Sequence, residues 1–403
     1  MDSKALAKSI GRELEENLLP FWRERVLAPS GGFIAEMASD GTVNRHAPKG
    51  LVLTARLLGT FSALYRDRGH ARDRLLAKRA YDDLSTYFFD RDCGGYLWRL
   101  TPVGRPLDCS KKVCGQAFCI QALSAYHRAS GNAAALDAAT VLFHLIERHA
   151  HDPAHQGYVE ALGREWGGGA DLRLGDKDMD AAKSMNNHLH LLEAYAELYR
   201  SWPDALVADR LRELIDVFEL RMLADTGHFN LFFDEDWTVR SDSYAYGRDI
   251  EAAWLLYDAA EALGDGGLKA RMSDWAVGVA HAVAEEALHP NGGLLYEGRN
   301  GKVIDAGREW WPQAEAVLGF HLAWRLTGDR RFAEIVEDVW DFILRRLADR
   351  ENGEWFWRIH PDGAPDLGAP KVSEWKGPYH GVRMCLRMLD QLRREASQGT
   401  MDG

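Results

Sequence analysis

The strongest constraint on what this chain can fold into is a period. A glycine followed by alternating aromatic and apolar residues recurs six times: GGFIAEM around Gly32, GGYLWRL around Gly95, QGYVEAL at Gly157, GHFNLFF at Gly227, GGLLYEG around Gly293 and GEWFWRI at Gly353. Successive glycines lie 63, 62, 70, 66 and 60 residues apart, which is the self-similarity of repeated supersecondary units. Each marker has the alternation of a short strand or hairpin arm, with Asp, Asn or Pro turn residues around it.

Between markers the pattern is helical. Pairs of helices are predicted at about 49–67 and 71–89, 111–130 and 133–148, 181–200 and 204–222, 247–263 and 267–288, and 309–326 and 330–347. One helix at about 2–26 precedes the first marker and one at about 376–395 follows the last. Breakers such as ASGN, SWPD, LGDG and LTGD separate the members of each pair, as short helix connections do. Twelve helices in six hairpins could form an open solenoid or close into a barrel. The terminal helices lack the polar outer face of solenoid caps, so the expectation is all-α: an (α/α)6 barrel with short β-hairpins at the cavity rim. It would be a single domain over 1–396, followed by a disordered tail at 397–403.

With 46% hydrophobic residues the chain can bury a large core, and its net charge of −12 argues against nucleic acid or an anionic membrane as partner. The amphipathic N-terminus lacks the apolar run of a signal peptide, and no stretch approaches a membrane span. The five cysteines (Cys93, Cys109, Cys114, Cys119 and Cys385) form no CxxC pair, so free thiols in a reducing cytoplasm are expected. A monomer or homodimer acting on a small molecule fits these numbers.

The helix after each marker carries polar residues that a core helix should not have. In NNHLHLLEAY, residues Asn186, His190 and Glu193 fall on one face at i, i+4 and i+7, while His188 points elsewhere. Arg56 sits in LVLTARLLGTF, Gln116 in CGQAFCIQAL, Arg248 and Glu251 in YGRDIEAAWLL, Trp311 and Glu315 in EWWPQAEAVLGF, and Trp375, His380 and Arg383 in EWKGPYHGVRM. A buried Arg–Glu pair or a lone buried His is by itself usually structural. The same anomaly at one register of six helices points to a functional cavity, at the mouth where six helix N-termini would converge. His188-x-His190 cannot be a metal pair on a helix, where the two rings diverge by about 200°. DKDMD at Asp176–Asp180 lacks the glycine and glutamate of a calcium loop. With no P-loop or dinucleotide-binding glycine pattern, neither metal nor cofactor is implied.

Taken together, MNNHLHLLEAY, DIEAAWLL, EWWPQAEAV, GEWFW and WKGPYH resemble the N-acylglucosamine 2-epimerase superfamily, most closely its cellobiose 2-epimerases and their mannose epimerase or isomerase relatives, over nearly the whole chain. The resemblance implies an (α/α)6 barrel and inversion of C2 at the reducing end of an open-chain aldose. Abstraction of the C2 proton would leave a cis-enediolate that needs donors on its oxygens. By resemblance, His380 is an acid–base histidine, and Arg56, Asn186, His190 and Glu251 contact sugar or enediolate. Trp311 and Trp375 are aromatic walls, Glu315 is a nearby carboxylate and Arg383 an arginine just after the histidine. Cys114 and His188 are grouped with the substrate-binding positions.

Three positions depart from the family pattern. YGHDIE is expected where this chain reads Tyr246-Gly247-Arg248-Asp249-Ile250-Glu251, so a guanidinium, which cannot act as a base, stands at the second catalytic position. Cys114 replaces a frequent Tyr, and Gly381 an Asn. Three alternatives stay open at this stage. The first is a one-base aldose–ketose isomerase. The second is a glycoside hydrolase or lyase using Glu251 and Glu315. The third is a sugar-binding protein without turnover.

Overall fold

A computed structural model describes residues 2–28, 31–175 and 178–399. Its twelve α-helices are α1 (Ser3–Glu13), α2 (Leu51–Arg68), α3 (Ala71–Asp83), α4 (Val113–Ser130), α5 (Ala133–His149), α6 (Met185–Ser201), α7 (Ala205–Val217), α8 (Tyr246–Leu263), α9 (Gly266–Glu286), α10 (Trp310–Thr327), α11 (Arg330–Phe342) and α12 (Tyr379–Gly399). Helices α1, α3, α7 and α11 run on into wide π turns reaching Arg25, Phe88, Met222 and Leu347, so the predicted ranges hold once those turns are included. The last helix continues to Gly399, into the segment expected as a tail. Residues 400–403 lie outside the described residues, as do Asp176 and Lys177 of the DKDMD stretch.

The even-numbered helices pack in the cycle α2–α4–α6–α8–α10–α12, and the contact of α12 with α2 closes the ring. That contact decides between the two architectures: the chain is a barrel. Each inner helix packs mainly against the odd-numbered helix of its own hairpin, α1 serving α12, with α9 also reaching α10. Sequence explains the two layers. In α10 every residue from Trp310 to Ala323 is buried, as a helix surrounded by protein requires. In α11 the buried residues Phe332, Ala333, Ile335, Val336, Val339, Trp340 and Phe342 form the single stripe of a surface helix. Three of the inner-to-outer turns share one device. Gly131, Gly264 and Gly328 end α4, α8 and α10 in the left-handed conformation. The next residues, Asn132, Asp265 and Asp329, cap the following helices with their side chains.

The six markers build the rim. The two-residue strand leading into each inner helix pairs antiparallel with the marker strand of the next unit: Lys49–Gly50 with Arg99–Leu100, Lys111–Lys112 with Ala161–Leu162, Lys183–Ser184 with Phe232–Phe233, Tyr244–Ala245 with Gly298 and Glu297, and Arg308–Glu309 with Ile359 and Arg358. The bridge between Met37 and Val372 makes the sixth such join and returns the last unit to the first. All six marker glycines have positive φ. At Gly157 a Cβ would also lie 2.6 Å from His188 Nε2 and from the Trp237 ring, so that turn requires glycine on two counts. Buried lysines just before three inner helices tie the rim down: Lys111 to Asp90 at 3.0 Å, Lys183 to Asp152 at 2.8 Å and Lys371 to Asp349 at 2.6 Å.

All five cysteines are free thiols. Among the described residues, no helix is long and apolar enough to cross a membrane.

Candidate active site

Inner-helix register places the site. The first residue of five inner helices (Leu51, Val113, Met185, Tyr246 and Trp310) donates its N–H to a carbonyl of the next marker, which fixes the rotation of each helix. Positions two and six are four residues apart and share a face. Position two supplies Cys114, Asn186, Trp311 and, on α12, His380. Position six supplies Arg56, Phe118, His190, Glu251 and Glu315. These are the residues that meet one another at the N-terminal end of the ring.

Position four faces the opposite way. Gln116 accepts from the Tyr96 N–H and donates to its carbonyl at 2.9 and 2.8 Å. Gln313 does the same for Leu294 at 2.7 and 2.9 Å, and Asp249 accepts from the Phe229 N–H at 2.9 Å. His188 is the fourth of this set. Its Nε2 accepts from the Tyr158 N–H at 2.9 Å and its Nδ1 donates to the Ser184 carbonyl at 2.7 Å. The expectation that His188 and Gln116 serve the cavity is therefore corrected, because each clamps a marker strand 200° from the axis-facing stripe. Burial lowers the His188 pKa to about 4, which keeps Nε2 free to accept. Glutamine already fills this role in two other units, so His188→Gln is expected to keep turnover within about threefold and stability within about 1 kcal/mol. His188→Ala, which strands a buried N–H, should lose about 1–3 kcal/mol. Thermal melts and initial rates of the two variants check this.

At the axis, His380 Nδ1 donates to Glu315 Oε1 at 2.5 Å. Glu315 also accepts from Arg383 at 2.7 Å and from the Trp254 indole at 2.9 Å. Arg383 reaches Glu193 Oε1 at 2.7 Å and Glu251 Oε1 at 3.1 Å. The Tyr379 hydroxyl donates to Glu193. Arg248 Nη1 donates to Glu251 Oε2 at 3.0 Å and its guanidinium lies 4.7 Å from the centre of the Trp311 ring. Arg56 holds the Trp375 carbonyl and stacks between the rings of Phe118 and Tyr379 at 4.6 and 4.9 Å. Trp375 itself packs 5.8 Å from Trp98 at the edge of the mouth. The His190 ring packs tilted against Phe118 with centroids 4.4 Å apart, and Cys114 Sγ lies 3.9 Å from the Asn186 amide nitrogen.

The electrostatics follow from burial and from the three guanidiniums. Three arginines (Arg56, Arg248 and Arg383) face three carboxylates (Glu193, Glu251 and Glu315), and burial raises the Glu315 carboxyl against the pull of Arg383. Burial lowers the His380 pKa well below its ordinary value, and the positive charge of Arg56 adds to that. Burial likewise lowers His190 and pushes the Cys114 thiol up to about 12. Burial alone would raise the Glu193 carboxyl, but Arg383, His190 and Tyr379 together hold it well below the carboxylate range. Among these site side chains, Asn186 Oδ1, His190 Nδ1, Arg56 Nε and Arg383 Nε are buried with no hydrogen-bond partner among the described residues. The first two lie on the axis-facing stripe, where substrate hydroxyls could satisfy them.

Potential ligand atoms of Glu251, Glu315 and His380 lie within 4.8 Å of one another, a donor set a divalent ion could use. The Arg383 guanidinium bridges those two carboxylates, so the place of the cation is already taken by the chain.

Residues 32–383 match the N-acylglucosamine 2-epimerase (GlcNAc 2-epimerase) family. The chain belongs to this family. It is 42% identical to the cellobiose 2-epimerase of Bacteroides fragilis over 96% of this chain and 99% of that protein. The solved cellobiose 2-epimerase of Bacillus thermoamylovorans superposes with a TM-score of 0.92 at 35% identity, covering 96% of this chain and 100% of that one. The D-mannose isomerase of Marinomonas mediterranea is more distant, at 22% identity over 94% of this chain and 95% of that protein. The chain is accordingly an isomerase-class enzyme of the epimerase family, on the (α/α)6 barrel that the repeat predicts.

Sequence reasoning did not single out Tyr379, Trp254 or Phe118 as site residues, and left Glu193 out of its functional set. Glu193 was legible at i+7 from Asn186. The three aromatics look like core, and only their place in the ring assigns them to the axis.

Proposed function

We propose that this enzyme inverts C2 of the reducing-end residue of a cellobiose-type disaccharide in its open-chain form. The observation that carries the reading is His380. A carboxylate pins its Nδ1–H, burial keeps the ring neutral, and Nε2 is left as the basic atom. His380 takes the C2 proton, the C–H electrons form the C1=C2 bond, and the aldehyde oxygen becomes the enediolate oxygen. The guanidiniums of Arg56 and Arg248 and the Asn186 amide are the donors available to that oxygen. Epimerisation then needs a proton on the opposite face. Helices α6 and α12 stand opposite one another in the ring, so His190 approaches from the wall facing His380. It is the titratable group able to serve that face while position 248 carries a guanidinium: it enters the step as the imidazolium, 4.0 Å from the Glu193 carboxylate, and leaves it neutral, while His380 leaves it protonated.

The test is incubation with cellobiose in D₂O, followed by NMR at C2, for the native chain and for Arg248→His. The expected result is deuterium at C2, together with a new aldose epimer. Arg248→His should run about tenfold faster, because a restored acid–base group contributes at least that much. A ketose product would replace this reading with an isomerase. Absence of exchange in both proteins would overturn it for this substrate.

A further inference from the structure

The end of the barrel opposite the mouth carries a second charged cluster that takes no part in the chemistry above. Arg66 lies in the last turn of α2, Arg128 in that of α4 and Arg200 in that of α6. Arg387 joins them from α12, two turns beyond His380. Only two carboxylates lie among these four guanidiniums. Glu197 is 2.7 Å from Arg128, 3.6 Å from Arg66 and 3.7 Å from Arg200. Asp258 is 2.9 Å from both Arg200 and Arg387. The next acid, Glu261, is taken by Lys269 at 2.7 Å. The cluster therefore holds four positive charges against two negative ones.

The layering of the cluster is specific. The carboxylate side chains are 14% and 12% exposed and lie beneath, while Arg66 is 43% and Arg128 29% exposed. The guanidiniums thus lie outermost, over a buried acidic floor. Burial lowers the Arg66 pKa most; Glu197 pulls it back up, and Arg128, Arg387 and Arg200 lower it again. All four arginines therefore share one local field. Arg387 also lies 4.7 Å from the Trp254 ring, which in turn lies 4.8 Å from Arg383 and donates to Glu315, so one indole joins this basin to the site at the mouth.

We propose that this basin is a binding site for a phosphate-type dianion, held by the forked N–H groups of Arg66 and Arg128 with Arg200 and Arg387 behind them. Two excess positive charges match a dianion, and planar guanidiniums meet phosphate oxygens in pairs. The competing explanation is that these cations only offset the negative ends of the inner helices, in which case added phosphate should find no site. The inference is independent of the sugar chemistry at the mouth.

The experiment is calorimetric titration of the full chain with inorganic phosphate, at an ionic strength held constant with chloride. Saturable binding of one phosphate per chain is expected. Arg66→Gln/Arg128→Gln should weaken it at least about tenfold, since both substitutions lose charge-assisted N–H donors to the phosphate oxygens. Arg248→Gln, at the other end of the barrel, should leave it unchanged. Should the double variant fail to fold by circular dichroism, the exposed single substitution Arg66→Gln carries the same expectation. Glycerol phosphate competing with inorganic phosphate would place free and esterified phosphate on the same arginines. Absence of saturation, equal binding by the native and basin variants, or loss of binding in Arg248→Gln would overturn the proposal.

Discussion

Replacing His380 with Asn is expected to lower kcat by about 10²–10⁴-fold, the usual contribution of a positioned acid–base group, with KM moving far less. Asparagine can still donate to Glu315 Oε1 from its amide, so the Arg383–Glu315–Trp254 arrangement should survive and the protein should melt near the native temperature. What is lost is the basic Nε2. Deuterium exchange at C2 should therefore fall in step with kcat, because both require the same proton abstraction. The pH profile gives an independent check. Burial, and then Arg56, lower the His380 pKa from 6.5, so the base form persists as pH drops. The acid limb of kcat/KM should therefore lie below pH 6.5. Unchanged exchange in His380→Asn would remove His380 from the mechanism, and an acid limb above pH 6.5 would contradict its depressed pKa.

The ring of helices was legible because its signal is a period, and periods survive sequence drift. Six glycines that each need positive φ announce six rim turns. The Gly-Asn and Gly-Asp pairs at 131–132, 264–265 and 328–329 mark where inner helices hand over to outer ones. Helix rotation was harder to read. Asn186, His188 and His190 sit in one polar run, and the character of a residue alone does not say which face meets the axis. Stacking the four helices by their first residue settles it: Gln116, His188, Asp249 and Gln313 occupy one position and do one job. The wide turns after α1, α3, α7 and α11 were invisible for a similar reason, since one extra residue per turn shifts the phase without changing the composition. Tyr379, Trp254 and Phe118 were missed because an aromatic residue in an apolar helix reads as packing until a charged partner is seen beside it.

Arg383→Met should be the most destabilising single change at the site. The methionine keeps much of the volume but removes the one cation shared by Glu193, Glu251 and Glu315, which lie within 2.7–3.1 Å of the guanidinium. Removing one partner from a buried ionic cluster costs about 3–5 kcal/mol, because the remaining charges stay desolvated. The sign of the pH dependence distinguishes this from lost packing. In the native protein Glu193 is held well below the carboxylate range, so its stabilising contribution is present above the unfolded pKa and fades as pH falls. In the variant, burial without the guanidinium raises the carboxylate pKa values above the unfolded one, and the folded state then binds the extra protons and gains relative stability as pH falls. The gap between the two proteins should accordingly be widest near neutrality and narrow towards pH ~4. Arg383→Lys keeps the charge but not the planar fork that reaches three acceptors, and should fall between the two. Denaturant titrations of the three proteins across that range decide the matter. A gap that stays constant with pH would show that Arg383 acts by filling space, and a pH-dependent one would show that its charge holds the three carboxylates, and through Glu315 the catalytic imidazole, in place.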